Sequence, residues 1–293
     1  MAKIAVALER ALEQRRMSGE RGATAARTLA AGDGWRVADV LCTSGPQDRP
    51  FEEQHTQFSI AIVLAGTFQY RSARGHALMT PGSIMLGNPG QCFECGHEHA
   101  EGDRCVSFWY SPDFFQQLIA DAGYAGRRDF RVPRIPPLRS SAPLAATAGA
   151  NVVRGGGGSW EELGIELAAG AMKLATGLSG GYRAPANAEA RVTRIVRSID
   201  RRPETSRTLH TMARDAGLSP YHFLRTFERL TGVTPHQYIV RARLRDAAVR
   251  LSAEGVRILD IALDCGFGDV SNFNRMFRAE FGLSPRAYRA RSR

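Results

Sequence analysis

The sequence has 293 residues, a net charge of +10 and five cysteines. Its length suffices for two domains that each bury a core. Apolar runs stay below the roughly 18 residues of a membrane-spanning helix, and Glu9 and Arg10 come too early for a secretory leader. An odd number of cysteines without a dense spacing framework suits reduced thiols. The composition therefore predicts a soluble cytoplasmic protein without a membrane partner.

The positive charge is concentrated near the carboxy terminus. Residues 184–293 contain 20 arginines, no lysine and 11 acidic residues, a net charge of +9, whereas the rest of the chain carries only +1. A basic domain beside a nearly neutral one indicates a polyanionic partner for the basic part alone.

The amino-terminal part begins with a predicted helix and continues as short strands. Ile4, Leu8 and Leu12 lie on one face of a helix that we expect to end near Arg16. A polar arm should then extend to Gly34. Six strand-like runs follow, separated by turn residues: 35–42, 58–64, 67–70, 83–86, 91–95 and 105–110. Short strands with closely spaced turns favour a small antiparallel barrel or sandwich.

Helices are predicted after the strands. Ser111-Pro112-Asp113 supplies the cap, the proline and the early acid of a helix start. After a proline-rich link over 132–143, helical stretches are expected over 144–153 and 159–178. One face of the last helix carries Leu163, Leu167, Leu174 and Leu178. Packing of this face against the barrel is favoured, and the alternative is a helix that pairs two chains in a homodimer. Residues 182–190 are interpreted as the interdomain linker.

Residues 209–288 contain the same pattern twice, offset by 49 residues up to a glycine turn and by 50 after it. Each copy has apolar residues at helical spacing and then Gly217 or Gly266, where a left-handed backbone ends a helix at little cost. Ser219 and Pro220 suit the start of the second helix in the first copy. The pattern predicts two tandem helix-turn-helix units, over 209–231 and 258–281.

The apolar residues around the two units are assigned to the core. Four phenylalanines at matching positions should turn inward rather than stack on bases: Phe223, Phe227, Phe273 and Phe277. Cys265, on a buried face, is interpreted as a small apolar filler. Between the units, Thr234-Pro235 opens a longer helix. This helix should hold the two units at a fixed separation.

The most specific residues form the series Ile261-Ala262-x-x-Cys265-Gly266-Phe267-x-x-x-Ser271-x-Phe273-x-Arg275-x-Phe277-x-x-x-Phe281-Gly282-x-Ser284-Pro285-x-x-Tyr288-Arg289. With this series, residues 192–289 resemble the DNA-binding domain of AraC/XylS-type transcription regulators. The preceding part resembles the cupin-type effector or dimerisation domain, with Pro81-Gly82 at the usual turn. The resemblance implies an α+β chain: a cupin-like antiparallel β-barrel with accessory helices over 1–183, and an all-α DNA-binding domain over 184–293.

The resemblance also implies a sequence-specific transcription regulator that binds double-stranded DNA, works with RNA polymerase and responds to a small effector. The second helix of each unit would enter one of two successive major grooves. The outward positions are Pro220, Tyr221, Leu224 and Arg225 in the first unit, and Asp269, Ser271, Asn272, Asn274 and Arg275 in the second. Arg225 suits guanine, Leu224 a thymine methyl, Asn272 or Asn274 adenine, and Asp269 cytosine. Arg243 and the amides at the two helix starts would contact phosphates.

Cysteines and histidines cluster in the amino-terminal part, in the series Cys92-x-x-Cys95-x-His97-x-His99 followed by Cys105. Thiolates and imidazoles in such spacing can bind zinc, and Cys42 and His55 on neighbouring strands could complete the site. Strand residues two apart face the same side, so His97 and His99 fit one site, whereas Cys92 and Cys95 need a bend. Two alternatives stay open: a thiol-based sensor, or turn and core residues of a domain that binds an organic effector or dimerises.

Two other functions compete with the regulator. A cupin metalloenzyme with an accessory helical domain would need paired carboxylates or a nucleophile elbow, which the sequence lacks. The glycines at 155–158 also lack the lysine and hydroxyl of a phosphate loop. We therefore predict no enzyme. A non-specific architectural protein would bind DNA with steep salt dependence and little sequence preference.

Overall fold

The structure, a computed structural model, describes residues 3–124, 128–155, 159–178 and 184–291. Its amino-terminal part begins with helix α1 (Lys3–Ser18) and continues with strands β1 (Thr24–Gly32), β2 (Trp35–Cys42), β3 (Phe51–Gln54), β4 (Phe58–Gly66), β5 (Phe68–Ser72), β6 (Gly75–Met79), β7 (Ile84–Gly87), β8 (Cys92–Gly96) and β9 (Asp103–Tyr110). Helix α2 (Pro112–Asp121), strand β10 (Arg134–Ile135), a 3₁₀ turn (Arg139–Ser141) and helices α3 (Ala142–Val153) and α4 (Trp160–Thr176) follow.

The remaining elements are all helical. They are α5 (Ala186–Arg201), α6 (Leu209–Asp215), α7 (Pro220–Thr231), α8 (Pro235–Ala253), α9 (Ile258–Asp264), α10 (Val270–Phe281) and α11 (Pro285–Arg291). Helices α6 and α7 form the first predicted unit, helices α9 and α10 form the second, and α8 connects them. No helix among the described residues is long and apolar enough to cross a membrane.

The strands form two antiparallel sheets. One has six strands in the order β1-β2-β9-β4-β7-β10, and the other has four in the order β3-β8-β5-β6. Side chains from both sheets meet in one core, where Val63 and Cys105 of the larger sheet pack with Tyr70 and Cys95 of the smaller one. The α+β class and the cupin-like architecture are confirmed. The two sheets stay open at their edges and do not close into a complete barrel.

The centre of the six-stranded sheet is buried on both faces. Along β4, Ala61 and Val63 point into the core between the sheets, whereas Ile60 and Ile62 point into a second core with helices α2 to α4. This alternation is the period-two geometry of a strand. Leu163 and Leu167 of α4 are buried in the second core. The leucine face of α4 therefore packs on the sheet as predicted, and the pairing of two chains stays a prediction.

Several expectations for the amino-terminal part were wrong or incomplete. The predicted polar arm contains β1, which pairs with β2. Most side chains of β1 are exposed, so it lacks the apolar alternation that marks a strand. Strands β3, β6 and β10 were also missed. The predicted linker over 182–190 is partly helical, since α5 begins at Ala186; residues 182–183, and glycines 156–158, lie outside the described residues. The domain boundary at 183 stays a prediction.

The helical part has two cores, each shared with the amino-terminal part. The first core surrounds the α6–α7 unit and includes Leu78 of strand β6, which is 1% exposed. The second surrounds the α9–α10 unit and includes Ala142 and Ala146 of helix α3. Apolar side chains of α5 and α8 are buried in these cores, among them Val192 and Leu244, whereas Leu209 is 36% exposed at the start of α6.

A short segment, residues 134–139, contacts the carboxy-terminal ends of α7 and α10 and the side of α8; we call it the clasp. Nη1 of Arg134 donates to the carbonyl oxygens of Leu230 in α7, at 2.6 Å, and of Leu78, at 2.7 Å. Nε of Arg139 donates to the carbonyl oxygen of Ala279 in α10. Arg241 of α8 donates to the clasp carbonyl of Pro137 at 2.9 Å. The clasp therefore ties both units to the sheet domain.

Candidate nucleic-acid interface

The turn between the two helices of each unit is the same. Gly217 has φ +63° and Gly266 has φ +86°, a left-handed conformation that glycine adopts without steric cost. After each glycine the backbone amide bonds back to the first helix: Leu218 N to Ala213 O at 2.9 Å, and Phe267 N to Ala262 O at 3.1 Å. These bonds satisfy carbonyls at the helix end. The sequence repeat is thus also a structural repeat.

The second helices start with equivalent caps. The Ser219 hydroxyl accepts from the amide of His222 in α7, and the Asp269 carboxylate accepts from the amide of Asn272 in α10 at 2.7 Å. Each cap satisfies one amide that the helix itself leaves unpaired. Both helices end at a left-handed glycine, Gly232 and Gly282.

The inner faces of the second helices are aromatic. Phe223, Phe227, Phe273 and Phe277 are each 0% exposed. The Phe223 and Phe227 rings lie 5.6 Å apart, and the rings of their counterparts lie 5.5 Å apart. Cys265 is also buried, as predicted. These rings support the units from inside, so the prediction that they are core residues is confirmed.

The outer faces of α7 and α10 carry the predicted contact residues. Those exposed to solvent are Pro220, Tyr221, Arg225, Asp269, Ser271, Asn274 and Arg275; Leu224 and Asn272 are half-buried. Nη1 of Arg225 lies 3.9 Å from a Glu228 carboxylate oxygen, and Nη2 of Arg275 donates to the Asn272 amide oxygen at 2.9 Å. Both arginines occupy the same repeat position. A contact of any of these residues with a base stays a prediction.

Two residues of the predicted interface also have structural roles. Asp269 caps α10 at the repeat position where Ser219 caps α7. This capping role explains an acidic residue at this position without a contact to cytosine. Arg243 is half-buried and donates to the carbonyl oxygens of Pro203 and Gly266, both at 2.7 Å, and of Glu204 at 3.2 Å. A phosphate contact would compete with these bonds. Arg243 therefore supports the fold, and its contact with a phosphate stays a prediction.

One residue on this surface was missed. His222 is exposed on α7 at the repeat position of Asn272, and its Nδ1 lies 2.9 Å from the Ser219 hydroxyl. The 50-residue offset that relates Arg225 to Arg275 is the signal that could have identified it.

The predicted metal ligands do not assemble as a set. Cys92 is exposed. His55 stacks on Phe93, with ring centroids 4.0 Å apart, and bonds the Tyr70 hydroxyl at 2.9 Å. Burial lowers the pKa of His55 to about 4. The five predicted ligands Cys92, Cys95, His97, His99 and Cys105 were therefore wrong as one group.

A different cluster forms at one end of the core between the sheets. The ligand atoms of Cys42, His97 and Asp103 lie within 4.8 Å of one another. His97 Nε2 is 2.8 Å from Asp103 Oδ1, and the Cys105 thiol donates to Asp103 Oδ2 at 3.2 Å. Asp103 was not predicted, although its position two residues before Cys105 on one strand places both side chains on one face.

The cluster shifts the ionisation of its members. Burial opposes a charge on His97, but hydrogen bonds to Asp103 and Cys42, and their charges, raise its pKa to about 9. Burial also opposes the Cys42 thiolate, yet the hydrogen bond and charge of His97 outweigh it and lower the pKa of that thiol. In contrast, burial raises the pKa of Cys95 and of Cys105.

A cavity lies between the sheet domain and the helical part. Its volume is about 740 Å³. Ile4 and Leu8 of α1 and Val249 of α8 contribute apolar walls, while Arg194 and Arg201 of α5 contribute charge. Cavities of this size between domains are frequent positions for small ligands.

Comparisons with known proteins agree with this architecture. A family model described as a helix-turn-helix domain matches residues 212–291, and one described as an AraC-like ligand binding domain matches residues 40–148. The chain is 34% identical over 97 residues to the regulatory protein SoxS of Salmonella typhimurium, which covers 33% of this chain and 91% of SoxS. It is 36% identical over 81 residues to the probable transcription factor PqrA of Proteus vulgaris, covering 28% of this chain and 66% of PqrA.

Other relatives match over a smaller share. The transcriptional activator AarP of Providencia stuartii is 33% identical over 82 residues, 28% of this chain and 61% of AarP. The chain thus spans less than two thirds of PqrA and AarP. Among solved structures, ToxT of Vibrio cholerae is 14% identical with a TM-score of 0.37, covering 88% of this chain and 98% of ToxT. At that TM-score the likeness supports no further conclusion.

Two repeated units with the same turn and a capped second helix follow a two-sheet domain. The helical part matches the helix-turn-helix model over residues 212–291, and the sheet domain matches the AraC-like ligand-binding model over residues 40–148. The chain therefore belongs to the AraC/XylS family of transcription regulators.

Proposed function

We propose that this chain is a sequence-specific DNA-binding regulator of transcription whose two units read successive major grooves on one side of a duplex. The observation that carries this proposal is the structural repeat. Helices α7 and α10, called the recognition helices from here on, have the same length, turn and cap, and each turns a polar face to solvent. Each has 12 residues, and an α-helix, about 10–12 Å in diameter with its side chains, fits a major groove about 12 Å wide.

The electrostatics of the helical part support a nucleic-acid partner. Its net charge of +9 lies beside a nearly neutral sheet domain. Positive charge releases counterions from DNA and supplies affinity without sequence preference. Specificity then rests on the side chains that reach base edges, for which Arg225 and Arg275 are the leading candidates because both are exposed at the same repeat position.

Helix α8 supports the proposed geometry. It runs from Pro235 to Ala253, begins with a capping box formed by Thr234 and Gln237, and buries Leu244 and Leu251. Arg243 fixes this helix to Pro203 and to the turn at Gly266. Because both units pack on one rigid helix, the distance between the recognition helices is set before DNA binds.

Control by a small organic effector belongs to the same proposal. The cavity between the domains is large enough for such a molecule, and its walls come from both parts of the chain. A ligand there would change the contact between the sheet domain and the DNA-binding part. Contact with RNA polymerase is included as well, since relatives such as AarP are named transcriptional activators. The proposal includes no catalytic activity.

The test is a binding-site selection with the full chain, followed by titration of the selected duplex and a scrambled duplex at moderate salt. We expect the selected duplex to bind at least about a thousandfold more tightly. Arg225→Ala and Arg275→Ala should each relax preference at one base pair by about 1–3 kcal/mol. Arg10→Ala, which removes one exposed charge from α1, is the matched control and should leave the consensus unchanged. Equal binding of both duplexes would favour an architectural protein instead.

The effector part has its own test. Small organic acids, amines and neutral compounds are screened for thermal stabilisation of the parent chain and of Ala5→Trp, which fills the cavity from α1. A compound that binds in the cavity should stabilise the parent and fail to stabilise the variant. A compound that stabilises both equally binds elsewhere and contradicts the assignment.

A further inference from the structure

Strand pairing brings sulfur, nitrogen and oxygen ligands together inside the sheet domain. In the antiparallel pair β2–β9, Cys42 lies directly opposite Asp103. His97 follows the end of β8 in the other sheet. The three side chains therefore come from two facing sheets, although 61 residues separate Cys42 from Asp103 in the sequence.

The cluster is buried as a unit. Cys42 is 4% exposed, His97 5% and Asp103 5%, and their ligand atoms lie within 4.8 Å of one another. A buried carboxylate, imidazole and thiol are costly to desolvate unless they pair or bind a metal ion. In the structure His97 pairs with both of the others: its Nε2 lies 2.8 Å from Asp103 Oδ1, and it also hydrogen-bonds the Cys42 thiol.

We propose that Cys42 Sγ, His97 Nε2 and an Asp103 carboxylate oxygen bind one zinc-class divalent ion. Thiolate, imidazole and carboxylate are the three ligand types that zinc takes in proteins. Tetrahedral ligands at the usual zinc distances lie about 3.3–3.6 Å apart. Binding therefore needs His97 and Asp103 to separate slightly and the Cys42 sulfur to take up that distance from both; the three ligand atoms already lie within 4.8 Å of one another. The fourth position is left to a water molecule or an exogenous ligand.

Cys105 acts as a positioning residue for this site. Its thiol donates to Asp103 Oδ2 at 3.2 Å, which leaves Oδ1 for the contact with His97. Hydrogen bonds of this kind orient metal ligands, and their loss usually weakens metal binding by about ten- to a hundredfold. Cys105→Ala, which removes this donor, should therefore weaken the site, whereas loss of Cys42 should abolish it.

The site is connected to the DNA-binding part through one arginine. Arg197 of α5 donates to the carbonyl oxygen of Glu101 at 2.7 Å and of Gly102 at 3.3 Å. Gly102 is packed so closely on Gly66 that a Cβ on Gly66 would lie 2.2 Å from its carbonyl oxygen. A movement of Asp103 on metal binding is therefore transmitted to the carbonyls that Arg197 holds. This coupling rests on the proposed function and makes a metal ion one effector of the regulator.

Metal binding is tested first without DNA. Full chain without a histidine tag is purified reduced, stripped with a chelator and titrated with Zn²⁺ against a chromophoric competitor, and separately with Co²⁺. We expect one ion per chain and a sulfur-to-cobalt charge-transfer band. Cys42→Ser should remove the band, and Asp103→Asn should weaken binding at least a hundredfold. Cys92→Ser, at an exposed cysteine outside the cluster, should match the parent.

Several results would overturn the site. They are binding well below one ion per chain, a cobalt band that Cys42→Ser leaves intact, or equal loss in Cys92→Ser. If the chain binds no metal and Cys42 forms a disulfide under mild peroxide, the cluster is a thiol-based sensor and not a metal site. Where a variant fails to fold by circular dichroism, the parent's stoichiometry and cobalt spectrum still decide.

DNA binding is then compared for metal-free and zinc-loaded parent on the selected duplex. We expect affinity to differ at least fivefold, and Arg197→Ala to abolish the difference while one zinc ion still binds per chain. If zinc-loaded and metal-free parent bind the selected duplex with the same affinity, the coupling is rejected, whereas the metal site itself is not. Loss of all specific DNA binding, with zinc binding intact, would reject the proposed function and not the site.

Discussion

Exchanging the caps of the two recognition helices tests whether Asp269 supports the fold or reads a base. Asp269→Ala removes the acceptor for the Asn272 amide. Loss of such a cap costs about 1 kcal/mol, and loss of the negative charge at the helix start adds about 0.3–1 kcal/mol. Asp269→Ser keeps the acceptor that Ser219 supplies in the other unit. Asp269→Ser should therefore cost only the free energy that comes from the lost negative charge.

The assay is urea unfolding of the full chain, together with binding-site selection for each variant. We expect Asp269→Ala to lose about 1–2 kcal/mol of unfolding free energy, Asp269→Ser less than half of that, and both to select the parental consensus. Ser219→Asp, the reciprocal change, should be neutral or slightly stabilising. The reasoning is refuted if Asp269→Ser is as unstable as Asp269→Ala, or if it changes preference at one base pair, since the carboxylate would then read cytosine.

Three other predictions follow from buried contacts. Arg243→Ala leaves the carbonyls of Pro203 and Gly266 without donors and should cost about 1–3 kcal/mol in urea unfolding; an unchanged salt slope of DNA binding confirms fold support, whereas a slope flatter by about one restores the phosphate contact. Burial lowers the pKa of His55 to about 4. Below about pH 6.5 this histidine is therefore protonated in the unfolded chain but stays neutral in the folded chain. Stability should fall by about 2 kcal/mol between pH 7.5 and pH 5 relative to His55→Asn, measured by urea unfolding, and parallel pH profiles would contradict this. Leu78→Ala leaves a cavity costing about 2–5 kcal/mol and should speed hydrogen exchange in α6 and α7, whereas Leu86→Ala, equally buried in the other core, should speed it in α2 to α4.

The helical part was predictable because its signals are local. Helix faces, glycine turns and caps lie within a few residues of one another, and the repeat checks each assignment against its copy. The exposed strand β1 had no such signal. It is a strand because its backbone pairs with β2, and its own side chains do not alternate between apolar and polar.

The metal ligands illustrate the limit of spacing arguments. Cys92 and His99 are close to His97 in sequence and were grouped with it, but the fold directs Cys92 to solvent. Cys42, predicted as a residue that could complete the site, does lie beside His97, whereas Asp103 was not predicted; the register of β2 and β9 places these two residues opposite each other. The sequence also could not predict that Leu78 of the sheet domain belongs to the core of the first helix-turn-helix unit, because only tertiary packing places it beside α7.

The clasp has a consequence for how the molecule switches. A single stretch of six residues touches the tail of each recognition helix, through Arg134 on α7 and Arg139 on α10. Pro136 also fills the space beside Gly232, where a Cβ would lie 2.5 Å from it. A shift of the clasp removes contacts from both recognition helices at the same time. We therefore expect the two helices to bind and leave DNA together, without a state in which one is bound and the other is free.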